Sequence, residues 1–498
     1  MSMIDEIRGL DVKIEERYPF KRDAYYDLQD IIDKSDLAVT CFTGPRRCGK
    51  SVVFMQLKEF YGDRAVLLDC KHKSMDDIMG VFHELRQPDN KKIYLIDEAT
   101  YIEFYDSVIG ELDLERLSSK VIITGSQSAA LRRTVSLNFA SAANYVSIGF
   151  LTFNEYLRYI GKVSGGEYKY SQIFGNLENL PECNFSEDDY YNFVYSKYAF
   201  TKPVMECREY LRGCLDETVI SCNTSLQGTC AHELKDINVK TVITVMYALL
   251  FKLHSNVGSS SLVTDSLFKK TKHDYKYERG ERLPSQLYEE AVSKVLEQYY
   301  KTARNLSAEE LRLCIKFLHE CDLLVFTVHY PDIDNEVYFT RWMSGSVRPN
   351  FDEALCHFGI TFKYPMFVAA CLFDLERELR AKGVEVNEGE LLSRSLLGSA
   401  TECEVKRYMS EIKQTDLVYD LQISENGAIV SEIDYYDPIQ QLAVEVSIRN
   451  KTYAETHFDS FDIKACRRIL LSNDKLDCVN GDVQRVPYYL FLAMISGR

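Results

Sequence analysis

The chain has 498 residues, of which 46% are hydrophobic and 27% charged, the composition of an ordinary globular protein and not of a disordered or repetitive one. Its 75 acidic residues against 59 Lys and Arg give a net charge of −16, which opposes general affinity for nucleic acid or anionic membrane. Fifteen Cys without a Cys-x-x-Cys pair and nine His without a His-Glu-x-x-His arrangement point away from a disulfide framework and from zinc.

The length predicts roughly three domains. The most apolar stretch, Val242–Phe251, is about half the ~20 residues needed to cross a bilayer, and the start of the chain carries no signal-peptide h-region. A cytoplasmic protein without membrane contact is therefore expected. Residues 1–160 hold short apolar runs at Leu37–Thr43, Ala65–Asp69, Ile93–Asp97 and Val121–Thr124. Amphipathic stretches starting near Lys50, Ser74 and Glu103 separate them, the alternation of an α/β domain with a parallel sheet. Residues 161–237, with Gly165-Gly166, Glu187-Asp188-Asp189-Tyr190-Tyr191 and four Cys between 207 and 230, break that alternation and predict a helical lid or insert.

In residues 238–345 an apolar helix over Val239–Leu253 precedes a second helix opened by Ser307 and Glu310, the spacing of a capping box. Leu323–Val328 and Val337–Thr340 then read as two strands of a wing, which predicts a winged helix. Residues 346–498 return to mixed α/β, with strands at Gln441–Ile448, Arg468–Leu471 and Pro487–Phe491.

One segment carries chemistry. Gly44-Pro45-Arg46-Arg47-Cys48-Gly49-Lys50-Ser51 has the spacing of a P-loop, follows a predicted strand and opens a predicted helix. In such a loop the backbone N–H groups and the helix N-terminus bind the phosphates of ATP. Lys50 would reach the β- and γ-phosphates, and the Ser51 hydroxyl would ligate Mg2+. About 45 residues on, a buried strand ends in Asp97 and Glu98. A P-loop ATPase needs one acid in the metal's shell, here Asp97, and another to polarise the attacking water, here Glu98. The next strand ends near Thr124 and Ser126, either of which could sense the γ-phosphate, or simply close a polar strand end. Arg132 and Arg133 are candidates for an arginine finger offered to a neighbouring subunit, or else surface residues. Cys48 is either a thiol exposed to oxidation or the occupant of a variable position.

Thr43–Ser51, Leu95-Ile96-Asp97-Glu98-Ala99-Thr100, Ile123-Thr124-Gly125-Ser126 and Phe150-Leu151-Thr152-Phe153-Asn154-Glu155-Tyr156-Leu157 together resemble the prokaryotic AAA-like P-loop ATPases with a C-terminal domain of unknown function. The resemblance implies that Phe150–Leu157 closes the ATPase sheet. It also implies that a winged helix and a degenerate restriction-endonuclease-like domain follow. Gly398–Val405 resembles that domain's Gly-x-x-x-Glu-x-x-Val helix, and Arg485–Leu492 its closing strand. Where the family has a Gly-Arg pair, this chain has Ala142-Ala143-Asn144.

Glu402, Asp434 and Glu445 are the acids that such a domain would turn on a divalent ion for phosphodiester hydrolysis. The lysine expected two residues after the last acid is Ser447, which removes an electrostatic stabiliser of the transition state. Arg449 or Lys451 could substitute, or the fold is inactive. Residues 269–282 hold six Lys or Arg against three acids, with interleaved Tyr, either a local DNA contact or a solvated loop. The expected function is a Mg2+-dependent ATPase acting as switch or motor, with homo-oligomerisation and DNA as candidate partnerships. The alternatives are a nucleotide-regulated nuclease and an ATP-gated scaffold.

Overall fold

The computed structural model describes residues 14–85, 87, 91–112, 118–175, 177, 180, 183–195, 198–199, 202–203, 207–220, 237–255, 298–330, 333–350, 358–381, 383, 397–415, 417–425, 428–448, 454–463, 465–473, 476–479 and 483–497. The chain divides into two compact units. One comprises Met1–Leu151, Leu211–Asp236 and Lys316–Asp322, the other Thr152–Tyr210, Ile237–Ile315 and Leu323–Arg498.

The first unit is built on a parallel sheet of β1 (Val39–Thr43), β2 (Ala65–Asp69), β3 (Ile93–Asp97), β4 (Lys120–Thr124) and β5 (Ala143–Ser147), in the order β2-β3-β4-β1-β5. β1 and β3 are buried at every position and mostly apolar, as a parallel sheet covered by helices requires; Thr43 and Asp97, the polar residues at their carboxyl ends, stand at the ligand-crevice edge of the sheet. On one face Val39, Cys41, Tyr94, Ile96, Val121 and Ile123 share a core with Ile78, Phe82 and Leu85 of α3 (Met75–Leu85) and with Leu131, Val135 and Phe139 of α5 (Ser128–Phe139). On the opposite face Phe42 meets Phe54 of α2 (Lys50–Tyr61), their ring centroids 5.7 Å apart. α1 (Asp23–Lys34) buries Ala24, Tyr25, Leu28 and Ile32, one helical stripe, and the short α4 (Tyr105–Gly110) follows β3. β1 has β4 on one side and β5 on the other, with Val39 level with both Val121 and Ala143. The sheet therefore splits there, and the crevice beyond the carboxyl ends of β1, β3 and β4 is where such sheets bind ligands.

The second unit contains an eight-stranded mixed sheet of β6 (Leu324–His329), β7 (Gly359–Phe362), β8 (Leu417–Glu425), β9 (Ala428–Asp437), β10 (Leu442–Val446), β11 (Arg467–Ser472), β12 (Asp477–Val479) and β13 (Val483–Pro487). The order is β12-β13-β11-β10-β9-β8-β6-β7. β8, β9 and β10 form an antiparallel meander, and β11 lies parallel to β10. The described helices after β5 are α6 (Phe153–Tyr159), α7 (Glu187–Tyr195), α8 (Cys207–Ile220), α9 (Val239–Ser255), α10 (Ala308–Glu320), α11 (Ile333–Met343), α12 (Pro365–Ala381), α13 (Leu397–Lys413) and α14 (Tyr488–Ile495). α13 packs across β6, β8, β9 and β10.

Three sequence expectations change. The wing does not form: Val337–Thr340 lies inside α11, and β6 pairs in parallel with β8 and antiparallel with β7. β6 is buried at five of its six positions, the mark of an interior strand covered on both faces. Tyr488–Phe491 is helix, with Pro487 as its N-cap; an unbroken apolar run has no period by which to tell strand from buried helix. Finally, β5 closes the first sheet, while Phe153–Tyr159 forms a helix with Thr152 and Glu155 as a capping box. That helix belongs to the second unit. Asn154 N donates to Ser496 Oγ at 3.1 Å, Asn154 Nδ2 to the Ala493 carbonyl at 3.0 Å, and Phe153 N to the Tyr408 hydroxyl at 2.9 Å. The capping box at Ser307 and Glu310 forms as expected, with Ser307 Oγ donating to Glu310 Oε2 at 2.7 Å and receiving the Glu310 N–H at 3.2 Å. Residues 269–282, Arg449 and Lys451 lie outside the described residues.

Ile123 is fully buried at the centre of the first core. Ile123→Ala is expected to cost about 2–5 kcal/mol, measured as a lowered denaturant midpoint with an unchanged slope.

Candidate nucleotide site

β1 delivers the chain into the loop Gly44–Gly49. A Cβ on Gly44 would stand 1.9 Å from the Ile148 carbonyl oxygen and 3.0 Å from Cys48 Sγ, so only glycine fits where the loop passes the end of β5. Arg47 (φ +64°) and Gly49 (φ +105°) adopt left-handed backbone, the alternation that curls successive N–H groups into an anion-binding nest. α2 starts at Lys50 with no side-chain cap on its first turn, which leaves its N-terminal N–H groups and dipole for an anion.

The loop is braced by residues that its sequence pattern does not reveal. Ser128, at the start of α5, accepts the Gly44 N–H on its hydroxyl at 2.8 Å and donates to the Gly44 carbonyl at 2.6 Å. The buried guanidinium of Arg22 donates to the carbonyls of Cys48 (2.9 Å), Gly149 (3.2 Å) and Phe150 (3.3 Å). Lys50 is itself buried and folds back, Nζ lying 2.7 Å from the Gly44 carbonyl and 3.0 Å from that of Pro45. Arg46 lies against α8, where a Cβ on Gly213 would fall 1.5 Å from Nη1. Cys48 is fully buried; burial raises its thiol pKa, assisted by Asp322 and opposed by Lys50 and Arg22. It is thus an inert thiol and not an exposed redox target.

Opposite the loop, β3 ends in the expected acids. Asp97 is buried. Its carboxyl pKa is raised to about 7, first by burial, then by the neighbouring charge of Glu98, with Asp69 adding and a hydrogen bond from Ser51 and the charge of Lys50 opposing. Asp69, which pairs with Asp97 in register between β2 and β3, is a third acid that no motif marks. Ser51 and these carboxylates are oxygen donors of the kind that a hard divalent cation takes. Glu98 sits in left-handed backbone at φ +54° and accepts the Ser126 hydroxyl (2.6 Å) and N–H (3.1 Å) on Oε2. Ser126, expected near the γ-phosphate, thus grips the expected water-polarising glutamate. Thr124 is fully buried at the end of β4. Arg132 donates to Thr43 Oγ1 at 3.0 Å and Arg133 to Glu320 Oε1 at 2.7 Å, so both are engaged within their own chain.

In the second unit the three expected acids lie near one another, and each has a partner. Glu402 Oε1 accepts from Lys406 Nζ at 2.6 Å, Asp434 Oδ2 accepts the Val446 N–H at 2.7 Å, and Glu445 Oε1 lies 3.3 Å from His457 Nδ1. Asp420, Glu432 and Lys406 join them unannounced by any motif. Burial alone would lower the pKa of the Lys406 ammonium, but Glu402, Asp420 and Asp434 together raise it. The Glu432 carboxyl is raised to about 7 by burial and then by Glu402 and Asp420. His329 Nδ1 lies 2.6 Å from Asp420 Oδ1, a bond that outweighs burial and raises the imidazole pKa. Among the described residues no three His, Cys, Asp or Glu side chains are arranged to hold a metal ion, and no helix is long and apolar enough to cross a membrane.

Residues 37–157 match the family model of an AAA domain. An AAA-like P-loop domain therefore occupies that stretch, which contains the loop, Asp97, Glu98 and Ser126. No curated protein matches the chain.

The raised acid at Asp97 has a consequence for stability. The folded state holds a proton that the unfolded chain releases near 3.8, so the contribution of Asp97 is largest in acid and declines as pH rises to about 7, beyond which it is flat. Asp97→Asn is expected to remove part of that decline, seen by comparing melting temperatures of the two proteins at about pH 5 and about pH 8.

Proposed function

We propose that this protein binds ATP with Mg2+ at the Gly44–Ser51 loop, hydrolyses it, and acts as a nucleotide-driven switch. The observation that carries the reading is the geometry of the loop: only glycine fits at Gly44, Arg47 and Gly49 turn left-handed, and α2 opens uncapped at Lys50 with Asp97 buried at the end of β3. Ser51 and Asp97 would hold Mg2+, which would supply positive charge against Asp69, Asp97, Glu98 and the phosphates. Lys50 would exchange the Gly44 and Pro45 carbonyls for phosphate oxygens. Glu98 would take the proton from the attacking water.

Ser126 gives this reading a resting state. Its hydroxyl holds Glu98, and a γ-phosphate accepting from Ser126 would compete with the carboxylate and free Glu98 for water. The base is armed only when the triphosphate is present. Arg132 and Arg133 are committed to Thr43 and Glu320, so an arginine supplied by a second copy of the chain would have to be a different residue. The charge of −16 opposes a general nucleic-acid partner. The meander β8-β9-β10, the parallel β11 and the preceding α13 support reading the last part of the second unit as a restriction-endonuclease-like core.

Glu98→Gln is expected to keep ATP affinity and lower kcat by about 10²- to 10⁴-fold, the usual contribution of a general base. Lys50→Ala is expected to lose ATP binding. Steady-state phosphate release and fluorescent-nucleotide titration measure both, and turnover by Glu98→Gln at the wild-type rate would overturn the assignment.

A further inference from the structure

Transfer of the γ-phosphoryl group spreads negative charge over its oxygens, and P-loop enzymes meet that charge with an arginine from the same chain or from a neighbour. Near the loop, Arg22 donates to the carbonyls of Cys48, Gly149 and Phe150, Arg132 to Thr43 and Arg133 to Glu320. Arg46 and Arg47 stand on the loop itself. Arg47 is exposed in left-handed backbone, whereas Arg46 is half-buried.

Two observations place the Arg46 side chain. Its root is fixed beside Lys50. Lys50 Nζ lies 3.0 Å from the Pro45 carbonyl oxygen, and the Arg46 nitrogen is bonded to that carbonyl's carbon, so bond lengths put the Arg46 α-carbon within about 7 Å of the ammonium. An extended arginine side chain covers that distance. Its tip is received by α8, whose residues from Leu211 onward belong to the same compact unit as the loop. A Cβ on Gly213 would stand 2.7 Å from Arg46 Cζ and 3.4 Å from Nη2, so the guanidinium fills a notch that any other side chain there would claim. Loop and helix together give this cation a fixed place, which is what stabilisation of a developing charge requires.

We propose that Arg46 is the arginine of ATP hydrolysis, supplied in cis by the phosphate loop, and that the notch at Gly213 positions it. The proposal rests on the nucleotide reading above and adds a catalytic residue to it. Water attacks the γ-phosphorus and Glu98 takes the proton of that water. The bond from the γ-phosphorus to the bridging oxygen breaks, its electron pair leaving with ADP. Arg46 forms no covalent bond; its N–H groups donate to the γ-phosphoryl oxygens as charge gathers on them, a match of planar fork to phosphate. The step then needs no arginine from a second copy.

The test uses the full chain with Mg2+, steady-state and single-turnover hydrolysis, and fluorescent-nucleotide titration. Arg46→Ala is expected to keep nucleotide affinity and to lower kcat and kcat/KM together by about 10³- to 10⁵-fold, the worth of such an arginine. Guanidinium chloride, kept below its denaturing range, is expected to restore part of the rate, which it would not do for an arginine with a merely structural role. Gly213→Ala is expected to fold, since only the tip of a flexible side chain must give way. It keeps every loop residue and should lose about 10- to 100-fold in kcat by misplacing the guanidinium, with no further loss when added to Arg46→Ala. Mixing Arg46→Ala with Lys50→Ala should regain nothing, because an arginine acting in cis cannot serve another copy's nucleotide. The proposal is overturned by parental turnover in folded Arg46→Ala or in Gly213→Ala, by a loss confined to nucleotide affinity, by the absence of guanidinium rescue, or by activity regained on mixing. A parent that neither binds nor hydrolyses ATP overturns the nucleotide reading itself, an outcome distinct from all of these.

Discussion

A carboxylate buried at the end of a strand is stable only if something positive stands by it, and Asp97 imposes that condition on the nucleotide site. With Asp69 level with it on the next strand and Glu98 following it, its surroundings favour the protonated acid near neutral pH. The charge of Lys50 opposes this, yet its ammonium is turned onto the loop's own carbonyls. The divalent cation proposed for this site would offset that charge. The bracing of the loop by Ser128 and Arg22 belongs to the same logic, since a charge-compensating site works only if its donors are held at fixed distances before the ligand arrives.

The two units meet the problem of buried acid differently. In the first, the acids are left short of cations, a strain that ligand binding can relieve. In the second, Glu402 has Lys406 at 2.6 Å and Asp420 has His329 at 2.6 Å, so basic side chains of the same unit stand beside two of its acids.

Much of the first unit was legible in the sequence because its signals are local. An unbroken apolar run ending in Asp-Glu, and a glycine-bounded loop between strand and helix, are each set by residues adjacent in the chain; β2 and β3 have the expected limits, and α2 begins at the expected residue. β5 was missed because Ala143–Ser147, as short and as partly exposed as β2, is interrupted by polar Asn144 where β2 runs apolar from Ala65 to Leu68. The supposed wing failed because strand pairing is decided by residues far away: β6 joins β8 across about ninety intervening residues, and no local pattern announces such a partner. Similarly, Ser128 and Arg22 reach the loop from 84 and 26 residues away, and neither position carries a motif. Lys406 was visible only as an unremarked helix residue four places after Glu402.

Gly213 shows how local and global preferences can disagree. A glycine inside a helix costs about 1 kcal/mol relative to alanine, and Gly213 lies well inside α8. Its backbone is not in the left-handed region, so no dihedral demands it. What fills the space is the far end of the Arg46 side chain, whose Nη1 would lie 1.5 Å from any Cβ there. An alanine at this position would favour the helix and would make the Arg46 guanidinium of the phosphate loop take another place, so the stability of α8 and the setting of that arginine are tied at one residue.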